Sequence, residues 1–184
     1  MSSSPGSPVC ASSPKTSKAL RNRGPIKRLK LHHINFGSIW SKKDELAATL
    51  DENNLDIVIG TETHLTPSIQ SGEFLPDNYS AIRRDRGDGF GGVIVIYKSD
   101  LVVSELTSAR DCEFLSVKVQ CHGRKSIILA GTYRRPSGNL AEIENISKHI
   151  GQTTKKYART PIWIAGDLNL PDIDWSDYSE VISM

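Results

Sequence analysis

The sequence predicts an α/β fold in which two β-sheets pack as a sandwich flanked by helices. The chain has 184 residues, of which 38% are hydrophobic and 24% are charged, and this composition fits one globular domain. From Leu29 onward, short apolar runs alternate with turn residues, and two longer stretches repeat apolar residues at helical spacing. Strands interleaved with helices in this way are typical of a mixed α/β architecture.

The predicted elements begin with a strand at 29–35, which ends at Asn35. Apolar residues then recur on one helical face, at Leu46, Ala47 and Leu50. We expect Ser41 to cap this helix, because Ser is favoured just before the first helical turn. The segment Leu55-Asp-Ile-Val-Ile-Gly60, which is apolar except for Asp56, indicates a buried strand.

Five further strands are predicted between turn residues, at 79–83, 92–97, 101–106, 114–119 and 126–133. Three of them lie close together along the chain, which favours antiparallel hairpins. A second helix is predicted from apolar residues at helical spacing, Leu140, Ile143, Ile146 and Ile150. Gly151 is its expected stop, and a last strand follows at 161–165.

The N-terminal tail differs in charge from the rest of the chain. Residues 1–30 carry seven Lys or Arg and no acidic residue, whereas the remainder has 16 basic against 21 acidic residues. The tail is also rich in Ser and Pro, and such a composition cannot build a core. We therefore predict a disordered tail at 1–27 and one domain at 28–184. The basic run at 27–30 suits a nuclear signal or a phosphate-binding arm, and a solvated linker is at least as good an interpretation.

The sequence excludes several other classes of protein. No stretch approaches the roughly 18 consecutive apolar residues of a membrane span, and the N-terminus lacks the apolar centre of a secretory signal. The three cysteines, Cys10, Cys112 and Cys121, have no C-x-x-C spacing, so neither a disulfide framework nor a zinc knuckle is predicted. These features predict a nuclear or cytoplasmic protein that is neither secreted nor embedded in a membrane.

Polar side chains stand where three predicted strands end. Asn35 ends the first strand, Glu62 follows the strand at 55–60, and Asp167 and Asn169 follow the last one. Residues just beyond strand ends converge on one rim of such sheets, and carboxylates with amides suit Mg²⁺ or Mn²⁺ better than zinc. The set predicts a metal site for a phosphate ester, although each residue taken singly is better explained as a turn former or cap.

Five short motifs occur in order along the body: His33-Ile-Asn-Phe-Gly-Ser38, Gly60-Thr-Glu-Thr-His-Leu65, Arg84-Asp-Arg86 before Gly91-Gly-Val93, Thr132-Tyr-Arg-Arg-Pro136, and Gly166-Asp-Leu-Asn-Leu-Pro171. Together they resemble the endonuclease/exonuclease/phosphatase superfamily, which has a DNase I-like fold. Their wording is most similar to the endonuclease domain of non-LTR (LINE-type) retrotransposons, relatives of apurinic/apyrimidinic endonucleases. The resemblance implies a hydrolase dependent on Mg²⁺ or Mn²⁺, with DNA as its partner and a downstream reverse transcriptase domain in the full-length element.

The resemblance also implies a role for each matched residue. Asn35 and Glu62 would lie at the metal, with Glu62 as the principal carboxylate ligand. Tyr133 would face the scissile phosphate, Asp167 would orient or deprotonate the attacking water, and Asn169 would hydrogen-bond the phosphoryl oxygens. The product would be a nicked DNA strand with a free 3′-hydroxyl. Three basic side chains are further candidates for substrate contact, Arg84, Arg86 and Arg134.

One part of the family pattern has no match in the chain. The family ends with a Ser-Asp-His on a late strand, and none of the five histidines stands at that point in the order. We therefore expect a fold that is incomplete at its C-terminus and weak or absent cleavage by this chain. Two other functions stay open: a non-catalytic remnant that binds nucleic acid, and a phosphatase or lipid phosphodiesterase of the same fold.

Overall fold

The computed structural model describes residues 28–121 and 125–171. Within these ranges the chain forms two four-stranded mixed sheets and two α-helices. This confirms the predicted α/β sandwich. The predicted disordered tail at 1–27 lies outside the described residues.

The first sheet contains β1 (Leu31–Asn35), β2 (Ile57–Thr61), β3 (Tyr79–Arg84) and β4 (Val93–Lys98). Their order in the sheet is β1-β2-β4-β3, with β1 parallel to β2 and the other pairs antiparallel. A 3₁₀ turn (Trp40–Lys42) and α1 (Lys43–Glu52) connect β1 to β2, and a second 3₁₀ turn (Ser71–Glu73) precedes β3. The parallel strands β1 and β2 need a crossover connection of this kind, and α1 supplies it.

The second sheet contains β5 (Val102–Ser108), β6 (Glu113–Gln120), β7 (Ile127–Tyr133) and β8 (Ile162–Asp167), in that order. β7 and β8 are parallel and are connected by α2 (Leu140–Lys156), whereas the other pairs are antiparallel. Each sheet therefore contributes one parallel pair of strands. The two pairs bring the predicted site residues to one edge of the sandwich.

The main core lies between the two sheets. Ile57 and Ile59 of β2 belong to the same buried cluster as Leu115 and Leu129 of the second sheet. Because side chains alternate along a strand, Val58 points to the opposite face and joins a different buried cluster, which includes α1. All five residues of β2 are buried, and this explains the continuous apolar run in the sequence.

Helices cover the outer faces of both sheets. Leu46 and Leu50 of α1 are buried against the first sheet. Ile146 of α2 packs with Phe114 and Ala130 of the second sheet. The layers are therefore helix, sheet, sheet and helix. Among the residues at 28–121 and 125–171, no helix has the length and apolar character needed to cross a membrane.

Two details of the predicted helices are wrong. The Ser41 hydroxyl donates to the Ser38 carbonyl (3.1 Å) and does not cap α1, which follows a 3₁₀ turn. Gly151 does not end α2, which continues to Lys156. Glycine inside a helix costs only about 1 kcal/mol, and the buried Thr153 beyond it holds the last turns in place.

Gly131 on β7 packs tightly against the first sheet. A Cβ at this position would lie 2.6 Å from Val93 Cγ1 and 2.9 Å from Ile59 Cγ2. We expect Gly131→Ala to lower the free energy of unfolding by about 1–3 kcal/mol through overpacking, measured by urea denaturation. The control is Gly151→Ala on an open stretch of α2, which should stabilise the protein by up to about 1 kcal/mol. Equal urea midpoints for wild type and Gly131→Ala would contradict this packing.

Candidate active site

The ends of two parallel strand pairs meet at one rim of the sandwich. In the first sheet, Asn35 at the end of β1 lies opposite Thr61, the residue before Glu62. In the second sheet, Tyr133 at the end of β7 lies opposite Asp167 at the end of β8. The chain direction of these strands therefore places their polar end residues around a common space.

The side-chain amide of Asn35 bridges two carboxylates. Its Nδ2 donates to Glu62 Oε1 (2.8 Å) and lies 3.4 Å from Asp167 Oδ2, which comes from the other sheet. Its Oδ1 accepts a hydrogen bond from the Gly37 N–H (3.1 Å), which fixes the orientation of the amide. Because both carboxylates approach the same nitrogen, the structure brings Asn35, Glu62 and Asp167 together.

Asp167 and Asn169 form a turn directly after β8. Asp167 Oδ1 accepts a hydrogen bond from the Asn169 N–H (3.0 Å), as in an Asx turn. Asn169 has a left-handed backbone (φ 46°), which Asn tolerates better than most residues, and its Nδ2 donates to the Arg134 carbonyl (2.7 Å). Each oxygen of Asp167 therefore has a donor, so the carboxylate is held facing Asn35.

The loop after β2 has an unusual backbone. Glu62 and His64 both adopt left-handed conformations, with φ of 51° and 54°. Such conformations cost roughly 1–3 kcal/mol in a residue other than glycine and persist only where neighbouring structure holds them. His64 Nε2 lies 3.8 Å from Glu62 Oε2, and its ring meets Phe90 edge-on with centroids 5.8 Å apart. The Glu62 carboxylate is thus presented on a fixed loop.

Tyr133 lies opposite Asp167 at the end of β7 and is 6% exposed. Burial, followed by the charge of the nearby Glu62 carboxylate, raises the pKa of its hydroxyl to about 12. The hydroxyl therefore keeps its proton at neutral pH. It is a hydrogen-bond donor beside Glu62 and not a general base.

The raised pKa of Tyr133 predicts a loss of stability at high pH. The native state holds the proton more tightly than the unfolded chain, whose tyrosines have a pKa near 10.0. The bound proton adds up to roughly 2–3 kcal/mol to the free energy of unfolding. This stabilisation is complete below pH 10 and is lost as the pH rises toward 12. We expect unfolding free energies of wild type to fall more steeply over this range than those of Tyr133→Phe. Parallel curves for the two proteins would contradict the assignment.

His33 is a neighbour of the site that the sequence analysis did not select. Burial lowers the pKa of His33, and the Asp167 carboxylate partly opposes that change. The sequence could have indicated His33, because side chains alternate along a strand and residues two apart share a face. That rule places His33 on the same face of the strand as Asn35.

The three arginines predicted to contact substrate are bound to protein acceptors. Arg84 donates to the backbone carbonyls of Ala109 and Asp85. Arg134 donates to the Asn169 carbonyl (2.8 Å) and to the Gly138 carbonyl. Arg86 pairs with two carboxylates, those of Asp88 (2.6 Å) and Glu113 (3.4 Å). Arg84 and Arg134 therefore hold loops around the site, and their contact with a substrate stays a prediction.

The donor set at the rim fits a hard divalent cation. Glu62 and Asp167 supply carboxylate oxygens that both approach the Asn35 amide nitrogen. The Asn35 amide oxygen, which here accepts from the Gly37 N–H, would face an ion between the carboxylates once the amide turns over. Oxygen ligands of this kind suit Mg²⁺ or Mn²⁺, and no Cys borders the three residues in sequence to favour zinc. Asn35 and Glu62 are the residues that we expect to hold the ion.

A second group of potential metal ligands lies in a different part of the fold. Asp111, Cys112 and His149 bring one ligand atom each to within 4.8 Å of one another. His149 Nε2 is 2.8 Å from Asp111 Oδ1, and the His149 ring stacks on Phe114 with centroids 5.6 Å apart. Burial, followed by the Asp111 charge, raises the pKa of the Cys112 thiol to about 12. The pairing of His149 with Asp111 accounts for this cluster as a tie between α2 and the loop before β6.

Comparison with known proteins identifies the fold. No protein-family model matches the sequence, and no curated protein matches it either. The endonuclease domain of TRAS1, a telomere-specific non-LTR retrotransposon, has a TM-score of 0.61 at 17% identity over 77% of this chain and 59% of its own. An AP endonuclease of Leishmania major has a TM-score of 0.57 at 16% identity, over 77% of this chain and 55% of its own. A mannosyl-6-phosphatase of Bacteroides thetaiotaomicron has a TM-score of 0.53 at 14% identity, over 82% and 67%.

The chain therefore has the DNase I-like fold that these structures share. The resemblance noted in the five motifs is confirmed at the level of the fold. The chain spans less than two thirds of the length of the retrotransposon and Leishmania structures. Structures of this fold include nucleases and a sugar-phosphate phosphatase, so the fold by itself does not choose between these activities.

Proposed function

We propose that this chain is a metal-dependent DNA endonuclease domain of the kind found in non-LTR retrotransposons. The observation that carries the proposal is the convergence of Asn35, Glu62 and Asp167 on one point at the rim. The motif wording and the similarity to the TRAS1 endonuclease support the choice of DNA as substrate. In a full-length element, a reverse transcriptase domain would use the 3′-hydroxyl that the nick leaves.

The residues divide the reaction between them. Asn35 and Glu62 would hold a divalent ion, and that ion would supply charge neutralisation at the phosphate, worth several kcal/mol. Asp167 accepts a proton from a water whose oxygen bonds to phosphorus while the bond from phosphorus to the 3′-oxygen breaks. The leaving 3′-oxygen takes up a proton from solvent water. The protonated Tyr133 hydroxyl faces the phosphate, and Asn169, whose amide has a second N–H besides the one given to Arg134, donates to a phosphoryl oxygen.

The test is a supercoiled plasmid incubated with the purified chain and Mg²⁺, beside a sugar phosphate and a phosphoinositide as alternative substrates. The proposal expects nicked circles that form slowly, because the chain has no match to the family's Ser-Asp-His, and whose 3′ ends a DNA polymerase extends without further treatment. Phosphate release from the sugar phosphate or phosphoinositide without nicking would contradict it and favour a phosphatase. DNA binding without turnover of any substrate would favour a non-catalytic binding domain. Glu105→Gln, which alters an exposed residue of β5, serves as the matched control.

A further inference from the structure

The loop that carries Glu62 is held by the glycine-rich turn before β4. The Gly91 carbonyl accepts hydrogen bonds from the His64 N–H (2.9 Å) and from the Thr63 hydroxyl (3.4 Å). These two contacts lie on the residues directly after Glu62, within the stretch whose backbone is left-handed at Glu62 and His64. The position of Gly91 therefore determines how the loop presents the Glu62 carboxylate.

Glu113, the first residue of β6, fixes this glycine-rich turn. The Glu113 carboxylate accepts a hydrogen bond from the Gly92 N–H. Gly91 and Gly92 both have positive φ (59° and 94°), and a Cβ on Gly91 would lie 2.5 Å from Glu113 Oε1. The carboxylate thus occupies space that only glycine leaves open.

Glu113 is buried, with 9% exposure. A carboxylate in such a place needs compensation, and it receives it from the Gly92 N–H and from Arg86 (3.4 Å). Burial nevertheless raises the pKa of Glu113 above its ordinary value. Its register on β6 also places it opposite Tyr133, whose hydroxyl lies near the Glu62 carboxylate. Glu113 is therefore connected to Glu62 from two sides.

We propose that Glu113 is a positioning residue that sets the Glu62 carboxylate through the Gly91-Gly92 turn. This inference rests on the proposed function, in which Glu62 holds the divalent ion. Glu113 itself contacts neither substrate nor metal. The part of its side chain that matters is an acceptor oxygen at the right distance from the Gly92 N–H, and the negative charge is secondary.

The test compares three substitutions that separate length from charge. Glu113→Gln keeps the length of the side chain and one acceptor oxygen. Glu113→Asp keeps the charge but shortens the side chain by one methylene. Glu113→Ala removes both the acceptor oxygens and the charge. The first readout is amide hydrogen exchange at His64 and Gly92 in the metal-free protein. The second is Mn²⁺ affinity measured by calorimetry. We expect Glu113→Ala to speed exchange and to weaken Mn²⁺ binding by about 10- to 100-fold, as for other supporting residues of metal sites.

The ranking of the other two variants decides the mechanism. We expect Glu113→Gln to remain within a few fold of wild type and Glu113→Asp to fall toward Glu113→Ala, in both readouts. Glu105→Gln should change neither. The opposite ranking, or unchanged exchange at His64 in folded Glu113→Ala, would overturn the inference. If Glu113→Ala does not fold, the Gln and Asp variants carry the comparison.

The same experiment separates this inference from the proposed function. If Glu62→Gln leaves Mn²⁺ affinity unchanged, the proposed metal site is wrong. The exchange rates of metal-free protein would still report whether Glu113 holds the loop. If Glu62→Gln abolishes Mn²⁺ binding while every Glu113 variant binds as wild type does, the inference fails and the proposed metal site stands.

Discussion

Glu62→Gln is expected to abolish measurable Mg²⁺ binding and to lower plasmid nicking by about 10³-fold relative to wild type. The substitution keeps the shape of the side chain and one oxygen. That oxygen can still accept the hydrogen bond that Asn35 Nδ2 donates to Glu62 Oε1 (2.8 Å) in the wild type. The substitution removes the negative charge that a hard divalent cation requires. The fold should therefore survive while the ion is lost.

The measurement is calorimetric titration with Mg²⁺ alongside the nicking assay, with Glu105→Gln as a control for charge removal elsewhere. Thermal unfolding of each variant verifies that it is folded. Equal Mg²⁺ affinity in wild type and Glu62→Gln would show that Glu62 is not a metal ligand. A normal nicking rate with lost affinity would show that the measured ion is not the one used in cleavage.

Asp167→Asn is expected to reduce the nicking rate by about 10²- to 10⁴-fold, the usual contribution of a placed general base. The amide oxygen can still accept from the Asn169 N–H, as Asp167 Oδ1 does at 3.0 Å, so the turn after β8 should persist. What disappears is a group able to take a proton from water. Mg²⁺ affinity should fall much less than in Glu62→Gln.

Single-turnover rates across pH measure this effect most directly. Asp167→Asn should be slower than wild type at every pH tested, because its amide cannot accept a proton from water. A rate within a few fold of wild type, with the same pH profile, would mean that another group accepts the proton. His33 would then be the next residue to substitute, because it lies near Asp167 and also titrates.

The sequence predicted well which polar side chains stand at strand ends. Asn35 and Asp167 end β1 and β8, and Glu62 directly follows β2. The hydrophobic pattern sufficed to locate these positions, since an apolar run that stops at a polar residue can be recognised in the sequence alone. Parallel pairing then brings the strand ends together, and the structure shows this at Asn35.

Glu113 could not be found in the same way. Its importance depends on a hydrogen bond to Gly92, which lies 21 residues earlier, and on burial that only the folded sheets produce. In the sequence it is an ordinary acidic residue before an apolar run. The same limit applies to Gly151, because the end of α2 depends on tertiary contacts beyond it and not on local propensity alone.

The partners of the arginines were also invisible in the sequence. Arg84 and Arg134 were predicted to contact substrate because they are basic residues within matched motifs. In the structure they bind the backbone carbonyls of Ala109 and Asn169. A guanidinium can satisfy carbonyls as well as phosphates, and the choice between them depends on which loops lie nearby.

The location of a bound Mn²⁺ ion tests the central claim most directly, and anomalous diffraction from a crystal soaked in Mn²⁺ measures it. We predict one anomalous peak at the rim, within about 2.5 Å of a Glu62 carboxylate oxygen and adjacent to Asn35 and Asp167. The same peak should be absent from crystals of Glu62→Gln. A peak found instead between Asp111, Cys112 and His149, with none beside Glu62, would contradict the assignment of the active site.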